Sequence, residues 1–300
     1  SGDVFDFYMK YSGLSFKEAL KTLSEFFGVD GNIDNESELY KTVNKLVLSL
    51  YMKNSKKFLR ERFEDFLKER KLSRELAEKF SLGIASSGNQ ITNYINSFKD
   101  KNKKKKWQLA ALDMGLIKEG INGYYDCYKD RIIFPIINKF GHVVGFSTRK
   151  YKDSSSGPKY LNSPESITFS KKKILYGENL VLKGDKVLPY VLLVEGFMDA
   201  IRLYGEGYTN VLAIMGLALS DSSIKEILPK FEAIYLALDH DDAGTSATLK
   251  ITKKFLAQGC LPKTIDLSPF NDPDEFLIGL PREEFEKRIR CAEPKIKLRS

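Results

Sequence analysis

The alternation of apolar and polar positions is most regular in the C-terminal half of the chain. Continuous apolar runs rich in β-branched and aromatic residues occupy 190–194 and 233–238, and such runs are typical of strands that are buried on both faces. Each run stops at a carboxylate, Glu195 or Asp239, and a helical pattern follows it. A third strand is predicted at 211–214. The predicted helices of this region cover 198–204, 220–228 and 243–257.

This order of strands and helices predicts a parallel sheet with right-handed crossovers. Ligands bind outside the carboxyl ends of the strands in such sheets, so Glu195, Asp239 and Asp241 should meet at one edge. Carboxylates that lie close together repel one another unless a cation sits between them. Oxygen ligands without a Cys or His cluster favour Mg²⁺ or Mn²⁺, and metal-assisted phosphoryl or nucleotidyl transfer is the chemistry suggested. Gly196 and Gly244 would let phosphates or metal-bound water approach the backbone.

A simpler interpretation treats these acids as ordinary strand-end and helix-cap residues. The paired motifs E-G-F-M-D at 195–199 and D-H-D-D-A-G at 239–244 favour the functional interpretation instead. The two motifs resemble those of the TOPRIM fold, which bacterial-type primases, topoisomerases and some nucleases share. The resemblance implies that Glu195, Asp239 and Asp241 are catalytic and that two or more Mg²⁺ or Mn²⁺ ions bind there.

A third acidic element, D-P-D at 272–274, resembles the motif that follows this module in DnaG-type primases. The resemblance therefore adds supporting acids to the predicted metal site. The predicted metal site consists of Glu195, Asp199, Asp239, Asp241, Asp272 and Asp274.

The N-terminal half is predicted to be mainly helical before strands begin. Amphipathic patterns predict helices at 37–53 and 58–70, and Ser73 is expected to cap a third helix. The run of lysines at 99–106 is expected to form a solvated loop, and a role in phosphate contact is not favoured.

Basic and aromatic residues gather on a predicted antiparallel hairpin at 130–137 and 142–149 and on the stretch after it. The cluster consists of Arg131, Arg149, Lys159, Tyr160, Asn162 and Lys171. Such a mixture suits contacts with phosphates and bases. Taken alone, however, a basic patch is more often an unspecific sticky surface.

The segments R-I-I-F-P-I from 131, P-K-Y-L-N-S-P-E from 158 and L-Y-G from 175 resemble hallmark segments of DnaG-type primases. They stand in the same order ahead of the acidic motifs, and topoisomerases and TOPRIM nucleases lack them. On this resemblance the chain is identified as the RNA-polymerase core of a DnaG-type primase. Arg70 matches a basic residue that points into the catalytic cleft in that family, although on sequence alone a solvated helix charge is the more usual interpretation.

Composition limits the class of protein further. Lysine and arginine total 48 against 40 aspartate and glutamate, which gives a net charge of +8 and favours a polyanionic partner. The three cysteines are scattered, which fits a reducing compartment and argues against a disulfide framework or a zinc site within the chain. No apolar run reaches the roughly 18 residues of a membrane helix, so no membrane association is expected.

The resemblance implies a DNA-dependent RNA polymerase that copies single-stranded DNA into short RNA primers from nucleoside triphosphates. Two alternatives stay open: a TOPRIM nuclease or topoisomerase, and a TOPRIM-like DNA-binding module without catalysis. The family implies zinc only in an N-terminal domain missing from this chain and a replicative helicase as partner through a missing C-terminal region. A bacterial or phage protein of the cytoplasm or nucleoid is expected, and an organelle such as a plastid remains an alternative.

The predicted fold class is α/β: a mixed α/β subdomain with a basic hairpin, a Rossmann-like parallel-sheet TOPRIM domain and a short C-terminal helical segment. The predicted domains are 1–33 as the tail of a zinc-binding domain, with a helical element within 3–29, then 34–185 as the primase subdomain, 186–270 as TOPRIM and 271–300 as the start of a helical region. Three residues depart from the bacterial family pattern, which leaves the origin of the chain open: His240 in place of Gly, Leu217 in place of Thr and Phe197 in place of Tyr.

Overall fold

The computed structural model describes residues 33–151, 157–184, 186–216 and 219–295. The helical element predicted within 3–29 and the departure at Leu217 lie outside these ranges. The helices are α1 (Ile33–Lys53), α2 (Arg60–Glu69), α3 (Arg74–Lys79), α4 (Gln90–Asn96), α5 (Lys101–Asp113), α6 (Glu178–Val181), α7 (Phe197–Gly205), α8 (Asp221–Ile227), α9 (Asp242–Leu256), α10 (Pro273–Gly279) and α11 (Arg282–Arg290). The strands are β1 (Gly83–Ile84), β2 (Ile117–Gly120), β3 (Gly123–Asp126), β4 (Arg131–Ile137), β5 (Val143–Lys150), β6 (Tyr160–Asn162), β7 (Val191–Val194), β8 (Val211–Ala213), β9 (Ile234–Ala237) and β10 (Lys263–Thr264).

The first helix, α1, packs its apolar side against the N-terminal sheet. Val43 and Val47 are fully buried and Tyr51 nearly so. Asn44 lies among them and donates its side-chain amide to the carbonyl of Val143 in β5, 3.2 Å away. This bond satisfies the amide nitrogen inside an apolar interface, whereas Oδ1 of Asn44 has no partner among the described residues.

The helix predicted at 58–70 is α2, which begins at Arg60 and ends at Glu69. A π-helical turn at Asn54–Phe58, which was not predicted, lies between α1 and α2. The third helix is capped as predicted, because the hydroxyl of Ser73 accepts a hydrogen bond from the N–H of Leu76, 3.1 Å away.

The predicted hairpin is confirmed and forms the centre of a four-stranded antiparallel sheet in the order β1-β4-β5-β6. Along β4, Ile132 and Phe134 face one hydrophobic core and Ile133 faces another, which explains why this strand has no polar side. Strand β6, which pairs with the free side of β5, was not predicted. It places Tyr160 directly opposite Arg149 of β5.

The C-terminal half forms the predicted parallel sheet, with strand order β10-β9-β7-β8. Successive residues of β7 face two different cores: Leu192 and Val194 lie in one, and Val191 and Leu193 lie in the other. All four are fully buried. Burial on both faces is the reason for the continuous apolar run in the sequence.

One hydrophobic core is shared by the two halves of the chain. Phe134 of β4 stacks on Phe197 of α7 with ring centroids 5.9 Å apart, and Tyr176 packs edge-on against Phe197 at 4.9 Å. Phe80 stacks in turn on Tyr176 at 5.8 Å. The predicted domain boundaries remain a prediction, but any boundary between these halves crosses a packed core.

The run at 99–106 is largely exposed, as expected, but the expectation of a loop is wrong. Residues 101–106 form the start of α5, whose N-terminal N–H groups on Asn102 and Lys103 donate to the side chain of Asp100. The later turns of α5 bury Trp107 and Ala110. The N-cap and this apolar anchor together outweigh the mutual repulsion of the lysines.

The architecture confirms the predicted α/β class, with an antiparallel sheet followed by a parallel one and two short helices after it. Cys127, Cys260 and Cys291 are all free thiols. Across the parts of the chain that the structure describes, no helix has both the length and the apolar character needed to cross a bilayer.

Candidate active site

The carboxyl edge of the parallel sheet brings together the acids of the two sequence motifs. Glu195 directly follows β7, and Asp239 lies two residues after the end of the adjacent strand β9. Asp241 caps α9, where its Oδ1 accepts a hydrogen bond from the N–H of Gly244, 2.7 Å away. Any Cβ at Gly244 would overlap the carbonyl oxygen of Asp239, so the tight turn that joins the two aspartates to α9 requires glycine.

Glu195 and Asp239 are half-buried acids whose inner oxygens have no partner. Oε2 of Glu195 and Oδ1 of Asp239 are shielded from solvent and accept no hydrogen bond among the described residues. Burial raises the pKa of Asp239 to about 7, and the charges of Glu195, Asp272 and Asp241 contribute to this rise. Burial also raises the pKa of Glu195, with a contribution from Asp241. These carboxylates are poised to gain from a cation.

Asp199 and Asp274, in contrast, use both carboxylate oxygens within the protein. Asp199 accepts hydrogen bonds from the backbone N–H of Gly196 at 2.9 Å and from that of Asp274 at 3.2 Å. Asp274 accepts from Nε of Arg202 at 2.8 Å and lies 3.6 Å from Nη1 of Arg70. Burial and the charges of Asp272 and Asp239 raise the pKa of Asp199.

Asp272 lies near both groups of acids. Its Oδ1 caps α10 by accepting from the N–H of Glu275, 2.7 Å away. Burial raises its pKa, and its charge in turn raises the pKa values of both Asp199 and Asp239.

The donor set suits a hard divalent cation, although the acids do not converge on one point. Among the described residues, no group of three or more His, Cys, Asp and Glu side chains is close enough to enclose an ion. Mg²⁺ usually takes only one or two protein carboxylates and completes its shell with water and substrate phosphates. The unpartnered oxygens of Glu195 and Asp239 supply that number, so these residues fit an ion that is held jointly with a substrate.

Tyr160 is the member of the predicted basic cluster that faces the acids. Its ring lies 5.9 Å from the guanidinium of Arg149 and 6.0 Å from Nζ of Lys159. The side chain is 38% exposed, yet burial of its hydroxyl region raises its pKa to about 12. The charge of Arg70 opposes this rise, while the charges of Asp199, Asp274 and Asp272 add to it. Tyr160 is therefore close enough to Asp199, Asp274 and Asp272 for their charges to act on it.

Two further cluster members carry polar groups without a partner. Nη1 of Arg149 and Oδ1 of Asn162 are buried atoms that make no hydrogen bond among the described residues. As with the unpartnered oxygens of Glu195 and Asp239, the hydrogen-bonding capacity of these atoms must be satisfied by a group outside the described residues. Lys159 is exposed, and Lys171 is half-buried and lies near Glu165.

Arg131 is built into the protein rather than exposed in the cluster. It is 5% exposed, and its Nη2 donates to the carbonyl of Pro158 at 2.8 Å. Its Nη1 lies 3.5 Å from both the hydroxyl of Thr148 and the carbonyl of Lys159. These contacts hold the segment that leads into β6, so Arg131 positions Lys159 and Tyr160.

Arg70 is not a solvated helix charge, because its side chain is 21% exposed and its Nη1 lies 3.6 Å from Asp274. Its Nε is buried without a partner among the described residues, and its predicted role in the cleft stays a prediction. The sequence analysis also missed Arg202, whose Nε lies 2.8 Å from Oδ1 of Asp274. The one signal was an arginine on the apolar face of a helix, three residues after Asp199.

His240 occupies the position between the two aspartates of the second motif. Its Nε2 lies 3.1 Å from the hydroxyl of Ser268, which donates to Asp266 at 2.7 Å. Its backbone N–H donates to the carbonyl of Asn271, 2.7 Å away. A cavity of about 580 Å³ opens beside it and is bordered by Asp239.

A parallel sheet with acids at its carboxyl edge, joined through a shared core to a basic antiparallel sheet, is the arrangement that the sequence motifs predicted for a TOPRIM-domain protein. Residues 50–181 match the family model of the DNA primase catalytic core, N-terminal domain, and residues 192–277 match a Toprim-like model. The chain belongs to the DnaG-type DNA primase family, whose catalytic core it matches.

Individual relatives agree with this assignment. The chain is 30% identical to a DNA primase of Clostridium acetobutylicum across 97% of this chain and 49% of that protein. Its fold is similar to the zinc-binding and RNA polymerase domains of the Aquifex aeolicus primase, with a TM-score of 0.75, 27% identity and coverage of 98% of this chain and 71% of that one. A DnaG primase catalytic domain bound to single-stranded DNA has the same fold, with a TM-score of 0.78, 24% identity and coverage of 87% and 83%. The chain spans about half the length of the curated relatives it matches.

Proposed function

We propose that this chain carries the nucleotidyl-transfer centre of a primase, which copies single-stranded DNA into short RNA from nucleoside triphosphates. The observation that supports this best is the pair of unpartnered oxygens on Glu195 and Asp239, at an acidic edge where Asp272 acts electrostatically both on Asp239 and on Tyr160 of strand β6. One element attracts cations and the other attracts phosphates. A nucleoside triphosphate with its divalent cations would satisfy both.

In this proposal the role of each acid depends on whether its carboxylate oxygens have partners within the protein. Glu195 and Asp239 hold Mg²⁺ or Mn²⁺, with Asp241 and Asp272 contributing from the caps of α9 and α10. Bound ions of this kind lower the charge on a triphosphate and activate a 3′-hydroxyl for in-line attack. The sum of several close carboxylates keeps the edge attractive to cations at neutral pH.

The basic cluster contacts the substrates. Arg149, Lys159 and Lys171 bind the triphosphate or the phosphates of primer and template, and Tyr160 and Asn162 position a base or sugar. The buried, unpartnered Nη1 of Arg149 and Oδ1 of Asn162 support these roles, because a bound nucleotide would satisfy both atoms.

Primer synthesis on single-stranded DNA tests the proposal. Glu195→Gln and Asp239→Asn should each reduce primer yield by about 1000-fold or more while the fold is kept, since each removes charge that the transition state needs. Asp242→Asn is the matched control, because Asp242 is exposed and lies in the same turn. Near-normal primer yield from the two variants, or equal losses in the control, would contradict the assignment.

The same preparation separates the rival classes. Supercoiled and linear DNA are incubated with Mg²⁺ or Mn²⁺, and the products are compared with those made from labelled nucleoside triphosphates. Primers support a primase, nicks or relaxation support a TOPRIM nuclease or topoisomerase, and binding without product supports a DNA-binding module.

The partners are proposed from the relatives. Single-stranded DNA is the molecule that one relative binds, and we propose the same partner here, held mainly through phosphates and therefore with a steep dependence on salt. We propose that start-site choice depends on a zinc-binding domain and processivity on a replicative helicase, both through parts of the primase outside this core. A bacterial nucleoid is the proposed location, with a phage or plastid origin as the alternatives.

A further inference from the structure

Arg202, in the middle of α7, is a buried arginine whose three guanidinium nitrogens each donate a hydrogen bond within the protein. Its side chain is 7% exposed. Nε donates to Oδ1 of Asp274 at 2.8 Å, Nη1 donates to the carbonyl of Lys71 at 3.0 Å, and Nη2 donates to the carbonyl of Arg70. These partners are 72 to 132 residues away in the sequence, so one side chain joins distant segments of the chain.

Two of these partners are carbonyls at the C-terminal end of α2, one on its cap residue Arg70 and one on Lys71. Helix ends leave such carbonyls without intrahelical donors and with a partial negative charge. The chain turns away at Lys71, with a φ of +49°. Arg202 therefore caps α2 from the other half of the molecule, and the cap fixes where α2 ends relative to α7.

The remaining partner, Asp274, lies between two arginines. Its side chain is 7% exposed, with Arg202 on Oδ1 and Arg70 at 3.6 Å from Oδ2. A buried carboxylate with an arginine on each oxygen is neutralised inside the protein. It offers neither oxygen to a cation, in contrast to the unpartnered oxygens of Glu195 and Asp239.

Hydrogen bonds from backbone N–H groups connect Asp274 and its two arginines to the acidic edge. The N–H of Asp274 donates to Oδ1 of Asp199, and the N–H of Gly196 donates to Oδ2 of the same side chain. Gly196 is the residue after Glu195. A continuous path of hydrogen bonds therefore runs from the end of α2 through Arg202, Asp274 and Asp199 to the backbone beside Glu195.

We propose that Arg202 is a positioning residue and that Asp274 is its internal counter-ion rather than a metal ligand. Together with Arg70 they fix the N-terminal half against the acidic edge, which sets the distance between Glu195 and strand β6. This inference deepens the proposed function and rests on it for the activity measurement. It reassigns Asp274 from the predicted metal site to the joint between the two halves.

The first test separates ligation from positioning. Mn²⁺ affinity is measured by titration without turnover, for the wild type and for Arg202→Met, Asp274→Asn and Asp239→Asn. Mutation of a residue that only supports a ligand lowers metal affinity by about 10- to 100-fold, so loss of a direct ligand should lower it by more than about 100-fold. We expect a loss above about 100-fold for Asp239→Asn alone, and an equal loss in Asp274→Asn would overturn the proposal.

The second test measures positioning. Arg202→Met and Asp274→Asn should each lower kcat/KM for primer extension by about 100-fold, because small displacements of reacting groups have effects of this size. The double variant should lose no more than either single variant, since both disrupt one unit. Additive losses, or activity equal to the wild type, would overturn the proposal.

Two controls keep the outcome interpretable. Arg60→Met removes an exposed arginine from the same helix α2 and should leave kcat/KM and Mn²⁺ binding unchanged. Arg202→Lys keeps the charge beside Asp274 without the forked donors, so it tests the cap if the methionine variant fails to fold. Amide hydrogen exchange at the end of α2 should rise in Arg202→Lys and not in Arg60→Met. If the wild type makes no primers, the proposed function fails, while Mn²⁺ binding and hydrogen exchange still decide the role of Arg202.

Discussion

Two pairs of carboxylates lie at the same edge of the parallel sheet and differ in what surrounds them. Glu195 and Asp239 each have an oxygen that is shielded from water and has no partner among the described residues. Asp199 and Asp274 have both oxygens occupied, by two backbone N–H groups in one case and by two arginines in the other. We call these the open pair and the closed pair.

The difference shows that an acid in a recognised motif need not be an acid available to a ligand. Asp199 stands in the same motif as Glu195, four residues later, yet its carboxylate accepts hydrogen bonds from the backbone N–H groups of Gly196 and Asp274. Buried acids without partners are destabilising until a cation arrives, whereas removal of a buried acid that has partners leaves those partners uncompensated and destabilises the fold. The two pairs should therefore respond in opposite directions to mutation and to metal.

The largest expected effect is on stability, from mutation of the closed pair. Asp274→Asn removes the charge between Arg202 and Arg70 and should lower the free energy of unfolding by about 3–5 kcal/mol, as expected for a broken buried ion pair. Asp239→Asn should leave this free energy unchanged or raise it, because it removes an unpartnered buried charge. Urea unfolding of both variants at pH 8 without metal measures the contrast. Equal destabilisation by the two substitutions would remove the distinction between the pairs.

Metal should act through the open pair. At about 100 times its dissociation constant, Mn²⁺ should stabilise the wild type by about 2.7 kcal/mol, by mass action. Asp239→Asn and Glu195→Gln should lose this stabilisation, whereas Asp199→Asn, if it folds, should keep it. Thermal unfolding with and without EDTA measures the shift, and a shift in Tm that survives in Asp239→Asn would place the ion elsewhere.

The pH dependence of the metal-free protein should show the raised pKa of Asp239. The folded protein holds this proton with a pKa of about 7, against 3.8 for an unperturbed aspartate. The folded state therefore binds the proton more tightly than the unfolded state, and stability falls as the pH rises from about 4 to about 7. Asp239→Asn should reduce this slope, and an unchanged slope would show that Asp239 does not contribute to it.

The smallest expected effect on stability comes from Lys159, an exposed residue that directly precedes strand β6. Lys159→Glu should change the free energy of unfolding by less than about 0.5 kcal/mol, as is usual for exposed residues. It should nevertheless weaken binding of nucleoside triphosphates and lower the salt dependence of binding to single-stranded DNA. Lys41→Glu is a suitable control, because Lys41 lies on α1 and pairs locally with Glu38. A large loss of stability with normal nucleotide binding would make Lys159 structural.

Local patterns were sufficient to predict most of the secondary structure. The strands β7, β8 and β9 and the helices after them could be predicted because a strand buried on both faces has a continuous apolar run. The hairpin of β4 and β5 could be predicted from two such runs around a turn. The lysine helix could not, because charge repulsion within the run outweighed the signals from Asp100 and Trp107 in the sequence interpretation.

The sequence by itself determined which acids reach the edge of the sheet, since strand ends and helix starts place them there. Only the tertiary structure decided which of them remain open. Asp274 is closed by two arginines. Arg202 lies 72 residues before it in the printed sequence, and Arg70 lies 204 residues before it. Whether a polar atom has a hydrogen-bond partner depends on which atoms lie within about 3 Å of it in the folded chain. A local sequence pattern does not specify contacts between residues so far apart in the sequence.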